Sequence, residues 1–152
     1  MKIHILSAEK AKLYIPEKRI YAIRIFSGNR NGDCDYGKLV NSPNYVQIKE
    51  YYFDDVLQGY SADDVEEGTG EDIYPINNGL ANQILGDFRD NRNSIEELLI
   101  HCRAGESRSP AVGLAINKIF NLGNNHEELK KTYPKYNKFV YRTLMIAGAD
   151  FK

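Results

Sequence analysis

Short runs of β-branched and aromatic residues predict four strands in this chain. The runs cover residues 2–6, 20–26, 45–53 and 98–101. In the last of them, Leu98-Leu99-Ile100 shows no alternation of apolar and polar side chains. A continuous apolar run of this kind is typical of a strand that is buried on both faces of its sheet.

Apolar residues at helical spacing predict helices between and after these strands. From Ser109 onward the chain is apolar nearly all round, which predicts a deeply buried helix with Pro110 in its first turn and Gly123 just past its end. A short helix is predicted over 127–131. An earlier and a later helix carry one apolar face each, formed by Leu80, Ala81, Ile84, Leu85 and Phe88 and by Tyr136, Val140, Leu144 and Ala147. Strands separated by helices predict an α/β fold.

The composition narrows the class of protein. At 152 residues, with 42% hydrophobic and 27% charged residues, the chain fits one globular domain that spans 1–152. A net charge of −1 provides no overall field that could hold nucleic acid or an acidic membrane. We therefore expect neither as a partner.

Cysteine usage and the N-terminus indicate where the protein works. The two cysteines, Cys34 and Cys102, do not amount to a disulfide framework or to a CxxC metal pair. The N-terminal apolar stretch is too short for a signal peptide, and no apolar run approaches the length that spans a bilayer. We expect a cytoplasmic protein with a reduced thiol and no bound metal.

The run from His101 to Pro110, HCRAGESRSP, carries the candidate chemistry. It connects the apolar strand to the apolar helix, so its backbone N–H groups can surround three phosphoryl oxygens at a helix N-terminus. Cys102 would face phosphorus at the floor of this cradle. We call residues 102–108 the phosphate loop, and its six residues after the cysteine are Arg103, Ala104, Gly105, Glu106, Ser107 and Arg108.

The residue types in and around the phosphate loop suit a reactive thiolate. A helix N-terminus and the nearby Arg108 both favour the anion of Cys102, since an ordinary thiol pKa is about 8.5. Gly105 can take the positive φ that such a curl needs, and Arg108 can grip two oxygens with its planar fork. Ser109 could cap the helix, hydrogen-bond the thiolate, or do both. His101 would orient the loop through a hydrogen bond and has no assigned proton transfer.

This run resembles the signature of the cysteine-dependent protein tyrosine and dual-specificity phosphatases: His, Cys, five residues, Arg, then Ser or Thr. The resemblance implies a single-domain α/β fold with a central sheet, helices on both faces and no metal or cofactor. It makes Cys102 the nucleophile that forms a phosphocysteine, and Arg108 the residue that binds the phosphoryl group. The C-terminal YPKYNKFVYRTL resembles, more loosely, the ending of small bacterial and phage members. The residues that match the signature are His101, Cys102, Gly105, Arg108 and Ser109.

The resemblance also implies a ligand and a general acid. Substrates would be phosphorylated proteins or small phosphomonoesters, and a phosphate or sulfate ion would fit the phosphate loop. In these families an acid often follows an aromatic residue and one further position. Phe53-Asp54-Asp55 fits that register with Asp55 as the acid, and Asp54 is the alternative. Both carboxylates could instead merely solvate a strand end.

Three interpretations of the loop stay open at this point. The first is a phosphatase acting on phosphotyrosine, with or without phosphoserine and phosphothreonine. The second is a rhodanese-like sulfurtransferase, which also uses a loop cysteine, and the third is a catalytically silent phosphate-binding module. Ser109 and the upstream aspartates favour the phosphatase. The acidic run 61–72 lacks the spacing of a calcium loop and predicts a solvated loop, and Cys34 predicts a bystander rather than a redox partner of Cys102.

Overall fold

The computed structural model describes residues 1–28, 36–57 and 73–151. Cys34 and the acidic run 61–72 lie outside the described residues, and so do the predictions of a bystander cysteine and a solvated loop. Within these ranges the strands are β1 (Lys2–Leu6), β2 (Ile20–Phe26), β3 (Tyr45–Tyr52) and β4 (Glu97–His101). The helices are α1 (Ala8–Leu13), α2 (Asn78–Asn91), α3 (Arg108–Phe120), α4 (His126–Thr132) and α5 (Lys138–Gly148). Short 3₁₀ turns follow α2 at Arg92–Ser94 and α5 at Ala149–Phe151.

These strands form a parallel sheet in the order β1-β4-β2-β3. β4 lies between β1 and β2, and its residues Leu98, Leu99 and Ile100 have no exposed surface. The prediction of a strand buried on both faces is therefore confirmed. Because the strands are parallel, their carboxyl ends lie at one edge of the sheet, which is where open α/β sheets form their sites.

Helices cover both faces of this sheet, which confirms the predicted α/β fold. α2, α3 and α5 cover one face, where they form a common core with Ile23, Leu98 and Ile100. α1 covers the other face, where its Ala11 joins a smaller cluster with Ala22 and Leu99. Successive residues of β2 and β4 thus enter different cores, as the alternation of a strand requires. No helix in the described ranges is long and apolar enough to cross a membrane.

Two local features differ from the sequence prediction. The pattern predicts no helix near the N-terminus, yet α1 forms there, and Ser7 caps it by accepting a hydrogen bond from Lys10 N at 3.2 Å. Asn121, at φ 56°, takes the left-handed position that ends α3, and Gly123 lies two residues further on. Asparagine tolerates this conformation better than most residues. The other predicted elements are confirmed to within a few residues at their ends.

Candidate active site

Cys102 lies at the floor of the phosphate loop, directly after β4, and is 2% exposed. Its Sγ accepts a hydrogen bond from Gly105 N at 3.3 Å and lies 3.2 Å from Ser109 Oγ. Burial raises the pKa of the Cys102 thiol. Hydrogen bonds from Ser109 and Gly105, together with the charge of Arg108, outweigh burial and hold this pKa below its ordinary value. Of the two roles open to Ser109, the contact with sulfur is present, whereas Ser107 takes the N-cap position of α3.

Replacing Ser109 with alanine should raise the pKa of Cys102, because the hydrogen bond between the Ser109 hydroxyl and the sulfur favours the thiolate. The measurement is the rate of alkylation by iodoacetamide as a function of pH. The Ser109→Ala variant should lose more reactivity at pH 5 than at pH 8, relative to the unaltered protein. Ser94→Ala, which removes an exposed hydroxyl bonded only to Asn91 O among the described residues, is the control. Coincident profiles for Ser109→Ala and the unaltered protein would contradict the assignment.

Gly105 sets the curvature of the phosphate loop. Its φ is +75°, a region that favours glycine. A Cβ at this position would lie 2.7 Å from both Leu6 C and Ser7 N, which are main-chain atoms at the end of β1. The neighbouring Arg103 O accepts a hydrogen bond from Ala8 N at 3.0 Å. The junction of β1 and α1 therefore supports the loop through its backbone.

Arg108 connects the phosphate loop to the end of β3. It is the first residue of α3 and is only 8% exposed. Its Nη1 donates a hydrogen bond to Phe53 O at 2.9 Å. That bond uses one of the five N–H donors that a guanidinium carries in its planar fork. The arginine thus lies between the loop and the segment that holds the two candidate acids.

Asp54, the first of these acids, is bound by the chain around it. Its Oδ1 accepts hydrogen bonds from Ser27 Oγ and Gly28 N, each at 2.9 Å, and its Oδ2 accepts one from Tyr74 N at 2.8 Å. Burial raises the pKa of Asp54. These three hydrogen bonds and the charge of Arg108 outweigh burial and hold the pKa below its ordinary value. A carboxylate that is kept ionised in this way is poorly suited to donate a proton.

Asp55 is bound to the phosphate loop instead. Its side chain is exposed, and its Oδ1 accepts hydrogen bonds from Ser107 Oγ and Asn137 Nδ2, both at 2.7 Å. No hydrogen bond to Oδ2 comes from the part of the chain that the structure describes. Of the two aspartates, Asp55 is therefore the one whose Oδ1 is bonded at the phosphate loop while its Oδ2 accepts no hydrogen bond from the described residues.

His101 supports the loop from behind and has no exposed surface. Its Nε2 accepts a hydrogen bond from Arg24 Nε at 2.8 Å, and its Nδ1 lies 3.1 Å from Cys102 O. Since Nε2 accepts, the neutral ring carries its proton on Nδ1 and donates it to that carbonyl. Burial, aided by the charge of Arg24, lowers the pKa of His101 to about 4. The histidine is thus a neutral hydrogen-bonding support.

The outer side of the phosphate loop is formed by Arg103, Ala104 and Glu106, which are all exposed. Beside it lies a hollow of about 210 Å³. The hollow is lined by Glu106, Tyr133, Pro134 and Lys135. Side chains of both charges therefore border the loop on this side.

Two residues of this site, Arg24 and Asn137, do not stand out in the amino-acid sequence. A charged residue within the apolar strand IYAIRIF, and an asparagine directly before a helical pattern, are the available signals. Their partners, His101 and Asp55, lie 77 and 82 positions away along the chain. The contacts themselves are consequently visible only in the folded protein.

Comparison with known proteins gives matches at the level of structure. No protein-family model matches the chain, and no curated protein sequence matches it. The crystal structure of human DUSP28 aligns with 98% of this chain and 92% of its own, at 14% identity and a TM-score of 0.57.

Two further crystal structures match in the same way. That of Tk-PTP in the active form aligns with 99% of this chain and 90% of its own, at 13% identity and a TM-score of 0.50. That of PTPMT1 in complex with PI(5)P aligns with 98% and 91%, at 12% identity and a TM-score of 0.52. All three are dual-specificity or tyrosine phosphatases. At these identities the likeness establishes that the chain has their fold.

Proposed function

We propose that this protein is a phosphomonoester hydrolase that acts on phosphotyrosine through a phosphocysteine formed on Cys102. One observation carries the proposal: a buried thiol with a lowered pKa shares its loop with a buried arginine and with a carboxylate bonded at the loop's edge. The phosphatase fold of the matching structures supports it. A nucleophilic thiol has to stay reduced, which fits a protein that works in the cytoplasm. We also propose that the protein works as a single domain.

In the first step, the Cys102 thiolate attacks phosphorus while the bond from phosphorus to the ester oxygen breaks. The loop N–H groups and Arg108 stabilise the charge on the phosphoryl oxygens. Asp55, protonated at the start, transfers its proton to the leaving oxygen. Its Oδ2 suits this task, since Oδ1 already accepts two hydrogen bonds. The products are an alcohol or phenol and a phosphocysteine.

In the second step, a water molecule attacks phosphorus and the sulfur–phosphorus bond breaks. The Asp55 carboxylate removes a proton from that water and so returns to its acid form. Cys102 leaves as a thiolate. The Ser109 hydroxyl, whose Oγ lies 3.2 Å from the sulfur, stabilises this anion. Inorganic phosphate leaves, and the starting state is restored without a cofactor.

A phosphopeptide panel tests the proposal. We expect phosphate release from phosphotyrosine peptides, and the same sequences carrying phosphoserine or phosphothreonine measure whether shorter side chains reach Cys102. Quenching the reaction in acid during turnover should leave a phosphoryl group on the peptide that contains Cys102, which mass spectrometry detects.

Two outcomes of the panel, run together with a thiosulfate and cyanide assay, would overturn the proposal. Transfer of sulfur from thiosulfate to cyanide, with no phosphate released from any peptide, would identify a sulfurtransferase. Binding of phosphopeptides without hydrolysis would identify a phosphate-binding module.

A further inference from the structure

We propose that Asn137 is the positioning residue for the general acid, holding Asp55 against the phosphate loop. This inference rests on the proposed function, because it assigns a role within that reaction. Asn137 lies directly before α5 and is 1% exposed. Its contacts reach three separate parts of the chain.

The Asn137 side-chain amide is fully used. Its Nδ2 donates to Asp55 Oδ1 at 2.7 Å and to Val56 O at 2.8 Å. Its Oδ1 accepts a hydrogen bond from Val140 N at 2.9 Å and so caps α5. The two donors and the one acceptor fix the orientation of the amide, since a flipped group would oppose like partners at all three contacts.

The Asn137 backbone connects the same residue to the phosphate loop. Its N–H donates to Ser107 O at 3.0 Å, and the Ser107 hydroxyl donates to Asp55 Oδ1 at 2.7 Å. Asp55, Ser107 and Asn137 thus form a closed set of hydrogen bonds. A proton donor is effective only if it is held near the leaving atom, because misplacement by about 1 Å can cost roughly 10²-fold in rate.

Helix capping alone does not account for this arrangement. Asn125 caps α4 and Asn77 caps α2 by the same kind of bond, from Glu128 N at 3.1 Å and from Leu80 N at 2.8 Å. Both of these asparagines are exposed, whereas Asn137 is buried. Of these three helix-capping asparagines, Asn137 is also the one whose side chain hydrogen-bonds an acidic residue, Asp55.

The test uses Asn137→Ser, with Asn125→Ser as the matched control. Serine still caps a helix well but cannot reproduce the amide donors. Asn137→Ser should slow hydrolysis of phenyl phosphate, a poor leaving group, by about tenfold and that of p-nitrophenyl phosphate by about twofold or less. Adding the change to Asp55→Asn should cost nothing more, because the residue would act only through Asp55. Asn125→Ser should alter neither rate.

A second measurement does not depend on activity. Amide hydrogen exchange in residues 53–57 should become faster in Asn137→Ser and stay unchanged in Asn125→Ser. If Asn137→Ser does not fold, Asn137→Asp keeps the cap acceptor and replaces the donors with a carboxylate facing Asp55, and it should give the same result. Unchanged exchange, or equal losses on both esters, would overturn the role of Asn137. A protein that hydrolyses neither ester would instead overturn the proposed function and with it the catalytic role of Asn137, while faster exchange in Asn137→Ser would still show that Asn137 holds the segment around Asp55.

Discussion

Cys102→Ser should abolish turnover, with a loss of ~10⁴-fold or more, while phosphate and vanadate still bind. A serine hydroxyl at this position is not ionised at neutral pH, so no nucleophile of comparable strength would replace the thiolate. The groups that hold the anion would remain, since Gly105 N and the Arg108 guanidinium belong to other residues. The measurements are hydrolysis of p-nitrophenyl phosphate and binding of phosphate by calorimetry.

The only other cysteine in the chain, Cys34, provides the control for this experiment. Cys34→Ser should hydrolyse the ester at the rate of the unaltered protein, which would assign the loss in Cys102→Ser to one thiol. Normal hydrolysis by Cys102→Ser would show that no phosphocysteine lies on the pathway.

Asp55→Asn should slow hydrolysis of phenyl phosphate by about 10²-fold and that of p-nitrophenyl phosphate far less. A poor leaving group needs a proton as its bond to phosphorus breaks, whereas a good one departs as an anion. Asparagine keeps the shape of the side chain and an oxygen that can accept from Ser107 and Asn137, so the fold should be unaffected. The measurement is kcat for a series of aryl phosphates that differ in the pKa of the phenol.

Asp54→Asn is the matched comparison, since the two aspartates are adjacent but differently bound. Asp54 receives hydrogen bonds from Ser27, Gly28 and Tyr74, so its loss should lower the melting temperature. Any loss of rate should be the same for good and poor leaving groups. If Asp54→Asn rather than Asp55→Asn showed the dependence on the leaving group, Asp54 would be the general acid and the assignment to Asp55 would be wrong.

Much of the fold follows from local patterns that the sequence displays openly. The apolar run Leu98-Leu99-Ile100 predicts a strand covered on both sides, and β4 has that position because β1 and β2 flank it. The pattern does not predict α1, because its six residues are too few to show a helical period. Its identifying feature is the Ser7 cap, and its packing depends on the small Ala11 reaching the sheet.

The candidate site divides in a similar way. Cys102, Gly105 and Arg108 stand within seven consecutive positions, so their spacing is evident in the amino-acid sequence itself. The register of Phe53-Asp54-Asp55 favours Asp55 as the acid, but the contacts that distinguish Asp55 from Asp54 are not evident in the sequence, because they join Asp55 to residues more than fifty positions away. Ser107 lies 52 positions and Asn137 lies 82 positions from Asp55. Contacts of this kind arise from the order of strands in the sheet, which no local pattern encodes.

The contact of Gly105 with the backbone of Leu6 and Ser7 places a constraint on the spacing of the first strand. The three atoms nearest to a Cβ at Gly105 are main-chain atoms of these two residues, so a substitution at either position leaves those backbone atoms beside Gly105. Inserting or deleting one residue in β1 would instead shift its pairing with β4, in which Leu6 lies opposite His101. The shift would move the wall beside the loop by about 3.3 Å, the rise of one strand residue. Sequence change in this strand should therefore occur by substitution far more readily than by a change in length.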